Sequence, residues 1–365
     1  MTPLPLRQDL AGLQPYGAPQ LDVPVLLNVN ENPYAPSEAV VADIAEAVAA
    51  AARGLNRYPD RDFLDLRKDL AAYLLAESAV TLSPEQIWAA NGSNEVMLHL
   101  LQAFGGPGRT VLSFAPTYSM YPEYARDTFT TWVTGRREED FSLDPDAARA
   151  AIAEHAPSVV LLASPNNPTG TALGLDVVRA VLDAAEQVPG GCVVVVDEAY
   201  GEFRRGGTPS ALTLLVAYPH LAVARTMSKA FGMAGARLGY LAADGALVDA
   251  LRVVRLPYHL SAVSQAVARA ALAHTGELMA QIGSLRAERD ATVAWLRERG
   301  FAVADSDANF ALFGVFDEPR AVWQGLLDRG VLIREVGPTG WLRVSIGSPQ
   351  EMTAFKDALA EVAGL

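Results

Sequence analysis

The sequence predicts an α/β protein: a doubly wound, mostly parallel sheet with helices on both faces, joined to a smaller α+β domain. Three observations carry this. Between residues 61 and 260, six short, nearly continuous apolar runs alternate with stretches of helical period, the pattern of strands buried on both faces and linked by crossover helices. Five of the runs end on a cluster of polar residues, and in an open α/β sheet ligands sit beyond the carboxyl ends of the strands. From about residue 261 the pattern changes to one long helical stretch followed by short strands and two helices, so a second unit is expected there.

In chain order, residues 1–36 read as an arm. Up to Pro24 it is rich in proline, glycine and leucine without a period, as expected of a segment lying on another surface, and it is expected to complete the small domain. Tyr16-Gly-Ala-Pro19 is a turn carrying an aromatic, and Asn30-Glu-Asn-Pro-Tyr-Ala-Pro36 is a second irregular stretch. The large domain spans residues 37–260. Ser37 is placed to cap a helix from Glu38 to about Arg53. Asn56-Arg-Tyr58-Pro-Asp60 is a polar turn, either an ordinary loop or a place where Arg57 and Tyr58 donate to a ligand at a subunit boundary. A helix over Arg61–Ala76 leads to the strand runs Ile87–Ala89, Thr110–Phe114, Val159–Ala163, Val193–Val196, Leu221–Ala224 and Gly239–Ala242. In the small domain, residues 261–365, one helical region covers Ser261 to Arg299. Strands are expected at Phe301–Ala304, Asn309–Phe316, Val331–Arg334 and Trp341–Ile346, with helices at Pro319–Arg329 and Ser348–Ala363.

Composition narrows the function. Half of the 365 residues are hydrophobic, ample for a large core, and internal repeats and low-complexity tracts are absent from the sequence. A net charge of −13 argues against nucleic acid or an anionic membrane as partner, while leaving room for a few arginines to hold an anionic substrate in a cleft. No apolar run is long enough to span a bilayer, and Pro3, Pro5 and Arg7 do not resemble a signal peptide. Cys192 is the single cysteine, so no intrachain disulfide forms, which fits a reducing cytoplasm; beside Val193–Val196 it reads as core. The histidines at 99, 155, 220, 259 and 274 lack ligand spacing, and no metal is expected.

The chemistry centres on Thr226-Met-Ser-Lys229-Ala-Phe-Gly-Met-Ala-Gly-Ala-Arg237. Only three of the 29 basic residues are lysines; Lys68 and Lys356 sit among charges on helical faces, whereas Lys229 follows an apolar run. An amine so placed loses hydration, its pKa falls, and it becomes a nucleophile towards a carbonyl; alone, it could equally be a lysine snorkelling at a core rim. Gly92 and Ser93 open a helix running to Phe104, whose free N–H groups suit a phosphate, and Ser228 and Arg237 add a hydroxyl and a guanidinium. Asp197 ends four valines, where a carboxylate needs a cationic partner: an arginine, a helix terminus, or a protonated pyridine nitrogen. Tyr200 and Asn167 are then placed to bond the ring's phenolic oxygen, and Tyr118 to stack on its face. Amine, phosphate pocket and carboxylate together describe pyridoxal phosphate bound as a Schiff base.

These segments resemble the class I/II aminotransferases of fold type I, and within them the histidinol-phosphate aminotransferases. The matching stretches are Leu27-Asn-Val-Asn-Glu-Asn-Pro-Tyr34, Arg57-Tyr-Pro-Asp60, Gly92-Ser-Asn-Glu95, Pro116-Thr-Tyr-Ser-Met-Tyr121, Ser164-Pro-Asn-Asn-Pro-Thr-Gly170, Val196-Asp-Glu-Ala-Tyr200, Ser228-Lys-Ala-Phe231, Arg237 and Leu342-Arg-Val-Ser345, in family order across nearly the whole chain. Tyr16-Gly-Ala-Pro-Gln and Asp307-Ala-Asn-Phe310 point to the narrower group. The resemblance implies that Lys229 carries the cofactor and later moves the proton between Cα and the ring carbon, with Asp197, Tyr200, Asn167 and Tyr118 in the roles given above. It implies a homodimer in which Tyr58 reaches the neighbouring subunit's cofactor phosphate. Arg343 would grip the carboxylate of glutamate, and Arg334, Arg343 and Tyr16 the phosphate of histidinol phosphate. Asn94 stands where the family often has aspartate, a small change for a site built from backbone N–H groups. The rival readings are an aromatic amino-acid aminotransferase, a phosphothreonine decarboxylase, and a non-catalytic regulator that has kept the fold.

Overall fold

Valine and leucine runs without a polar face build the large sheet. Val159–Ala163 and Leu221–Thr226 are buried at every position, and in Val193–Asp197 only the first residue is partly exposed. Such strands are stable only with helices on both faces. In the computed structural model, which describes residues 4–15 and 17–364, they join a seven-stranded sheet. Its order is Ile87–Ala90, Gly239–Ala243, Leu221–Thr226, Val193–Asp197, Val159–Ala163, Thr110–Ala115 and Thr131–Arg136. Every neighbouring pair is parallel except those made by Gly239–Ala243, which runs against both neighbours. This is the α/β architecture expected. Thr131–Arg136 has no apolar run to announce it, because as an edge strand it is covered only in part.

The helix starts follow local chemistry. Ser37 Oγ accepts the Val40 N–H and caps Glu38–Ala52. The next helix begins at Leu64, not at Arg61: the Asp60 carboxylate accepts the N–H groups of Asp62 and Leu64, which holds residues 60–63 in a turn. The single helical region expected over Ser261–Arg299 is two helices, Ala262–Ala273 and Thr275–Glu298. His274 leaves the helical well between them (φ −104°, ψ 22°), and its ring lies 2.7 Å from the Asp43 carboxylate on the first helix.

Two smaller sheets stand beside the large one. A four-stranded antiparallel sheet runs in the order Arg334–Glu335, Leu342–Ser345, Phe310–Gly314 and Ala302–Val303, and a two-stranded parallel one pairs Val25–Leu26 of the arm with Val331–Leu332. The stretch Val331–Arg334, expected as one strand, thus divides between two sheets. The break falls at Ile333, whose carbonyl accepts the Trp323 indole N–H at 2.9 Å. The last helix, Pro349–Ala363, starts on a reciprocal capping box between Ser348 and Glu351 and ends at Gly364 in the left-handed region.

Behind the strand bearing Asp197 lies a buried ionic network that the sequence did not announce. Arg225, fully enclosed, pairs with Glu198 at 2.7 Å, Glu202 at 3.0 Å and Glu77 at 3.3 Å, and Tyr73 donates to Glu202 at 3.0 Å. The three carboxylates hold the Arg225 guanidinium well above its ordinary pKa against the cost of burial. Such a network specifies one packing more than it adds stability. Among the described residues no helix is long and apolar enough to cross a membrane.

Candidate active site

Beyond the carboxyl ends of the central strands lies a cavity of about 250 Å³. Ser93, Asn94, Tyr118, Asn167, Asp197, Tyr200, Ser228, Lys229, Arg237, Arg334 and Arg343, dispersed over 250 positions of sequence, all line it. Parallel strands place their successor loops on one edge, which is why residues so far apart meet.

Lys229 follows Leu221–Thr226 by a short turn, and its Nζ donates to the Val29 carbonyl of the arm at 3.0 Å. Burial, then the nearby charge of Arg343, pushes its pKa down from 10.5 to about 8; Glu31 opposes the shift and Arg237 adds to it. At neutral pH a useful fraction of the amine is therefore unprotonated.

Asp197 is the last residue of its strand. Tyr121 donates its hydroxyl proton to Oδ2 at 2.9 Å, and the Ala199 N–H donates to Oδ1 at 3.1 Å. Among the described residues this carboxylate makes no ion pair, the nearby arginines being engaged by Glu77, Glu198 and Glu202 instead, so no arginine is its partner. Burial raises its pKa to about 6, although both hydrogen bonds hold it down.

An anion cradle lines the same cavity as Lys229. Gly92, at φ +83°, turns the chain into the helix Ser93–Phe104 and lies so close to Arg237 that a Cβ there would meet Nη2 at 2.6 Å. Gly239 closes the other side, where a Cβ would stand 2.2 Å from the Ser93 nitrogen. The Arg237 guanidinium, donating to Ser228 Oγ at 3.3 Å, is thus held against an exposed helix N-terminus. Guanidinium, hydroxyl and free N–H groups form the donor set a phosphate requires.

Arg334 and Arg343, which also line the cavity, are directly opposed across two antiparallel strands. Like charges in that register repel unless an anion lies between them. Arg343 donates from Nη1 to Asn167 Oδ1 at 2.5 Å and from Nη2 to the Asn28 carbonyl at 3.0 Å, and Arg334 donates to the Gly17 carbonyl at 3.4 Å. The Tyr200 hydroxyl accepts from Asn30 Nδ2 at 3.0 Å and from Asn167 Nδ2 at 3.4 Å. Tyr118 lines the cavity and meets Tyr121 edge to face, with centroids 5.5 Å apart.

One expected residue stands elsewhere. Tyr58 does not line the cavity of its own chain; it is 78% exposed and stacks on Tyr258 at 4.4 Å. Tyr16 lies outside the described residues. Three residues had no role assigned from sequence: Tyr121, Asn30 and Ser345. Tyr121 and Ser345 closed two of the quoted motifs and Asn30 lay inside a third, but only contact reveals what each touches.

Fold and site together bring a lysine of lowered pKa, a buried carboxylate and an anion cradle to one cavity at the carboxyl edge of an α/β sheet. The family model for aminotransferase class I and II matches residues 23–359, and the chain belongs to that family. Among curated relatives, a protein named histidinol-phosphate aminotransferase 3 from Burkholderia lata is 61% identical over all of this chain and 97% of its own length. A histidinol-phosphate aminotransferase from Thermobifida fusca is also 61% identical, over 99% of this chain and 96% of its own. Among solved structures, a histidinol-phosphate aminotransferase from Sinorhizobium meliloti in complex with pyridoxal-5'-phosphate superposes with a TM-score of 0.82 at 26% identity, covering 93% of this chain and 91% of that one. These neighbours share the fold expected from the sequence.

Proposed function

We propose that the chain is a pyridoxal-phosphate-dependent aminotransferase acting between histidinol phosphate and glutamate in histidine biosynthesis. Glutamate gives up its amino group and leaves as 2-oxoglutarate; imidazole acetol phosphate takes that group and leaves as histidinol phosphate. The observation that carries the cofactor reading is Asp197, a buried carboxylate held by two neutral donors and facing the same cavity as Lys229. A protonated pyridine nitrogen supplies the missing positive charge, and the cradle of Gly92, Ser93, Asn94, Ser228 and Arg237 suits the phosphate. Bound there, the cofactor supplies an aldehyde that joins amines and a ring that draws electrons from the substrate Cα–H bond.

The chain's own residues do the rest. Asp197 would hold the ring nitrogen in its protonated form. Lys229 Nζ, the amine of lowered pKa, would hold the cofactor at its aldehyde and serve as the base for the substrate Cα proton. Tyr200 and Asn167 would hold the phenolic oxygen, and Tyr118 would lie against the ring. Arg343 receives the carboxylate of glutamate, and Arg334 with Arg343 the phosphate of the other substrate, since guanidinium geometry serves both anions. Tyr16 joins them. The wall that opposes Arg334 and Arg343 supports an anionic substrate, and the names of the closely related proteins support this one over an aromatic amino acid or phosphothreonine.

The protein is read as a homodimer. Tyr58, Leu55, Val253 and Leu256 are exposed apolar side chains, of the kind a second copy would cover, and the family resemblance has Tyr58 reach the neighbouring subunit's phosphate. A reducing cytoplasm suits the lone buried Cys192.

A half-reaction screen tests the assignment. The yellow protein is treated separately with histidinol phosphate, phenylalanine, tyrosine and phosphothreonine. Fastest bleaching by histidinol phosphate is expected. Faster bleaching by an aromatic amino acid, or carbon dioxide released from phosphothreonine, would replace the substrate assignment, and a colourless protein that takes up no cofactor would remove the whole reading.

A further inference from the structure

The arm is pinned over the site by three consecutive carbonyls. Arg343 Nη2 donates to Asn28 O, Lys229 Nζ to Val29 O and Asn309 Nδ2 to Asn30 O, each at 3.0 Å. Asn30, 1% exposed, adopts φ 56°, a left-handed conformation that asparagine tolerates better than most residues. Its N–H donates to Ser345 Oγ at 2.8 Å, and that hydroxyl donates its single proton to Asn30 Oδ1 at 3.0 Å. This closed ring orients the amide and turns its NH2 to the Tyr200 hydroxyl at 3.0 Å. From the other side Arg343, which can only donate, holds Asn167 Oδ1 at 2.5 Å and so turns the Asn167 NH2 to the same hydroxyl at 3.4 Å. A phenol oxygen that accepts from two amides has its own proton committed to a third direction.

We propose that Asn30 is a positioning residue for Tyr200: with Asn167 it occupies the acceptor side of the phenol and commits the hydroxyl to donate towards the cavity. The inference rests on the cofactor reading above, in which the Tyr200 hydroxyl bonds the ring's phenolic oxygen. Ser345 lies two positions beyond Arg343 on one strand, so the strand that receives the substrate carboxylate also sets the amide that sets the phenol.

Asn30→Asp tests this in the holoenzyme. It keeps the acceptor for Ser345 and tolerates the backbone, but its carboxylate can only accept, so the Tyr200 hydroxyl donates to it and the bond is reversed. The pH titration of cofactor absorbance, kcat/KM and thermal stability are measured for Asn30→Asp, Tyr200→Phe and the double variant. The expected result is that Asn30→Asp moves the spectral midpoint in the same direction as Tyr200→Phe and lowers kcat/KM at least tenfold. The double variant is then expected to match Tyr200→Phe within about twofold, the signature of two residues acting through one bond. An unmoved midpoint, or a loss that persists undiminished in the Tyr200→Phe background, overturns the role and leaves Asn30 merely structural. Should Asn30→Asp fold poorly, Ser345→Ala loosens the same amide and is read by the same criteria. A wild-type protein without a cofactor band fails before any substitution is made, which distinguishes loss of the underlying reading from loss of this one.

Discussion

Tyr121 donates to Asp197 at 2.9 Å, so the carboxylate at the base of the cavity is held by a neutral hydroxyl and its charge is not spent on a guanidinium. Burial without a cation is unfavourable for the anion, and the Asp197 pKa rises to about 6 as a result. The site thereby keeps a negative charge ready for a cationic ligand.

The pH dependence of stability follows from that arrangement. Between about pH 4 and 6 the folded protein holds a proton on Asp197 that the unfolded chain has released, so stability without cofactor falls as pH rises through this window. Asp197→Asn is expected to remove the penalty and stabilise the cofactor-free protein well above pH 6 by about 3 kcal/mol, while lowering kcat by roughly 10²-fold or more through loss of a buried pair. Tyr121→Phe removes the donor and moves the window to higher pH. Chemical denaturation at pH 4, 6 and 8 checks all three proteins, and an Asp197→Asn protein less stable at pH 8 than the parent would contradict the account.

For Lys229 the sign is opposite. Its folded pKa, about 8, lies below the ordinary 10.5, so between these values the unfolded chain holds the proton and stability rises with pH. Capture of pyridoxal phosphate by the cofactor-free protein needs the neutral amine, and its rate is expected to climb tenfold per pH unit below about 8 and level off above. Lys229→Ala is expected to bind the cofactor without covalent attachment and to lose about 10²–10⁴-fold in turnover, the range of a missing proton carrier. Stopped-flow absorbance and mass spectrometry after borohydride treatment provide the measurements.

Gly92 and Gly239 separate ligand binding from folding. A Cβ at Gly92 meets the far end of Arg237 at 2.6 Å, and the flexible guanidinium can yield. Gly92→Ala is therefore expected to fold at a cost of about 1–3 kcal/mol for a side chain held at φ +83°, and to bind cofactor at least tenfold more weakly, because the cradle is displaced. A Cβ at Gly239 meets the Ser93 backbone nitrogen at 2.2 Å and nothing there can yield cheaply. Gly239→Ala is expected to cost about 3 kcal/mol of stability or more. Urea titrations and cofactor binding isotherms of the two variants decide whether the effects divide this way.

Arg334→Ala is expected to raise KM for histidinol phosphate by roughly 10- to 100-fold, the worth of a charged hydrogen bond, and to change that for glutamate far less, since Arg343 remains. Equal losses for both substrates would show that the two guanidiniums act as one.

Much of this protein is written locally. Unbroken apolar runs such as Val159–Ala163 and Val193–Val196 can be stable only between layers of helices, so they declare a buried parallel sheet whatever follows. Lys229, Asp197, Gly92 and Arg237 stood out because each residue type was costly or unusual beside its neighbours. Edge strand Thr131–Arg136 was hidden because half its surface faces water and needs no apolar period.

Tertiary structure alone decided what faces what. That Tyr121 rather than an arginine holds Asp197, that Arg334 opposes Arg343, and that Asn30 and Asn167 converge on Tyr200 are facts of register and loop path between residues up to 315 positions apart. Hydrogen bonds act over about 3 Å, and sequence carries no measure of distance between segments. The candidate residues could be named along the chain; which of them share one cavity, and which groups donate to which, follows from where the arm crosses the strands.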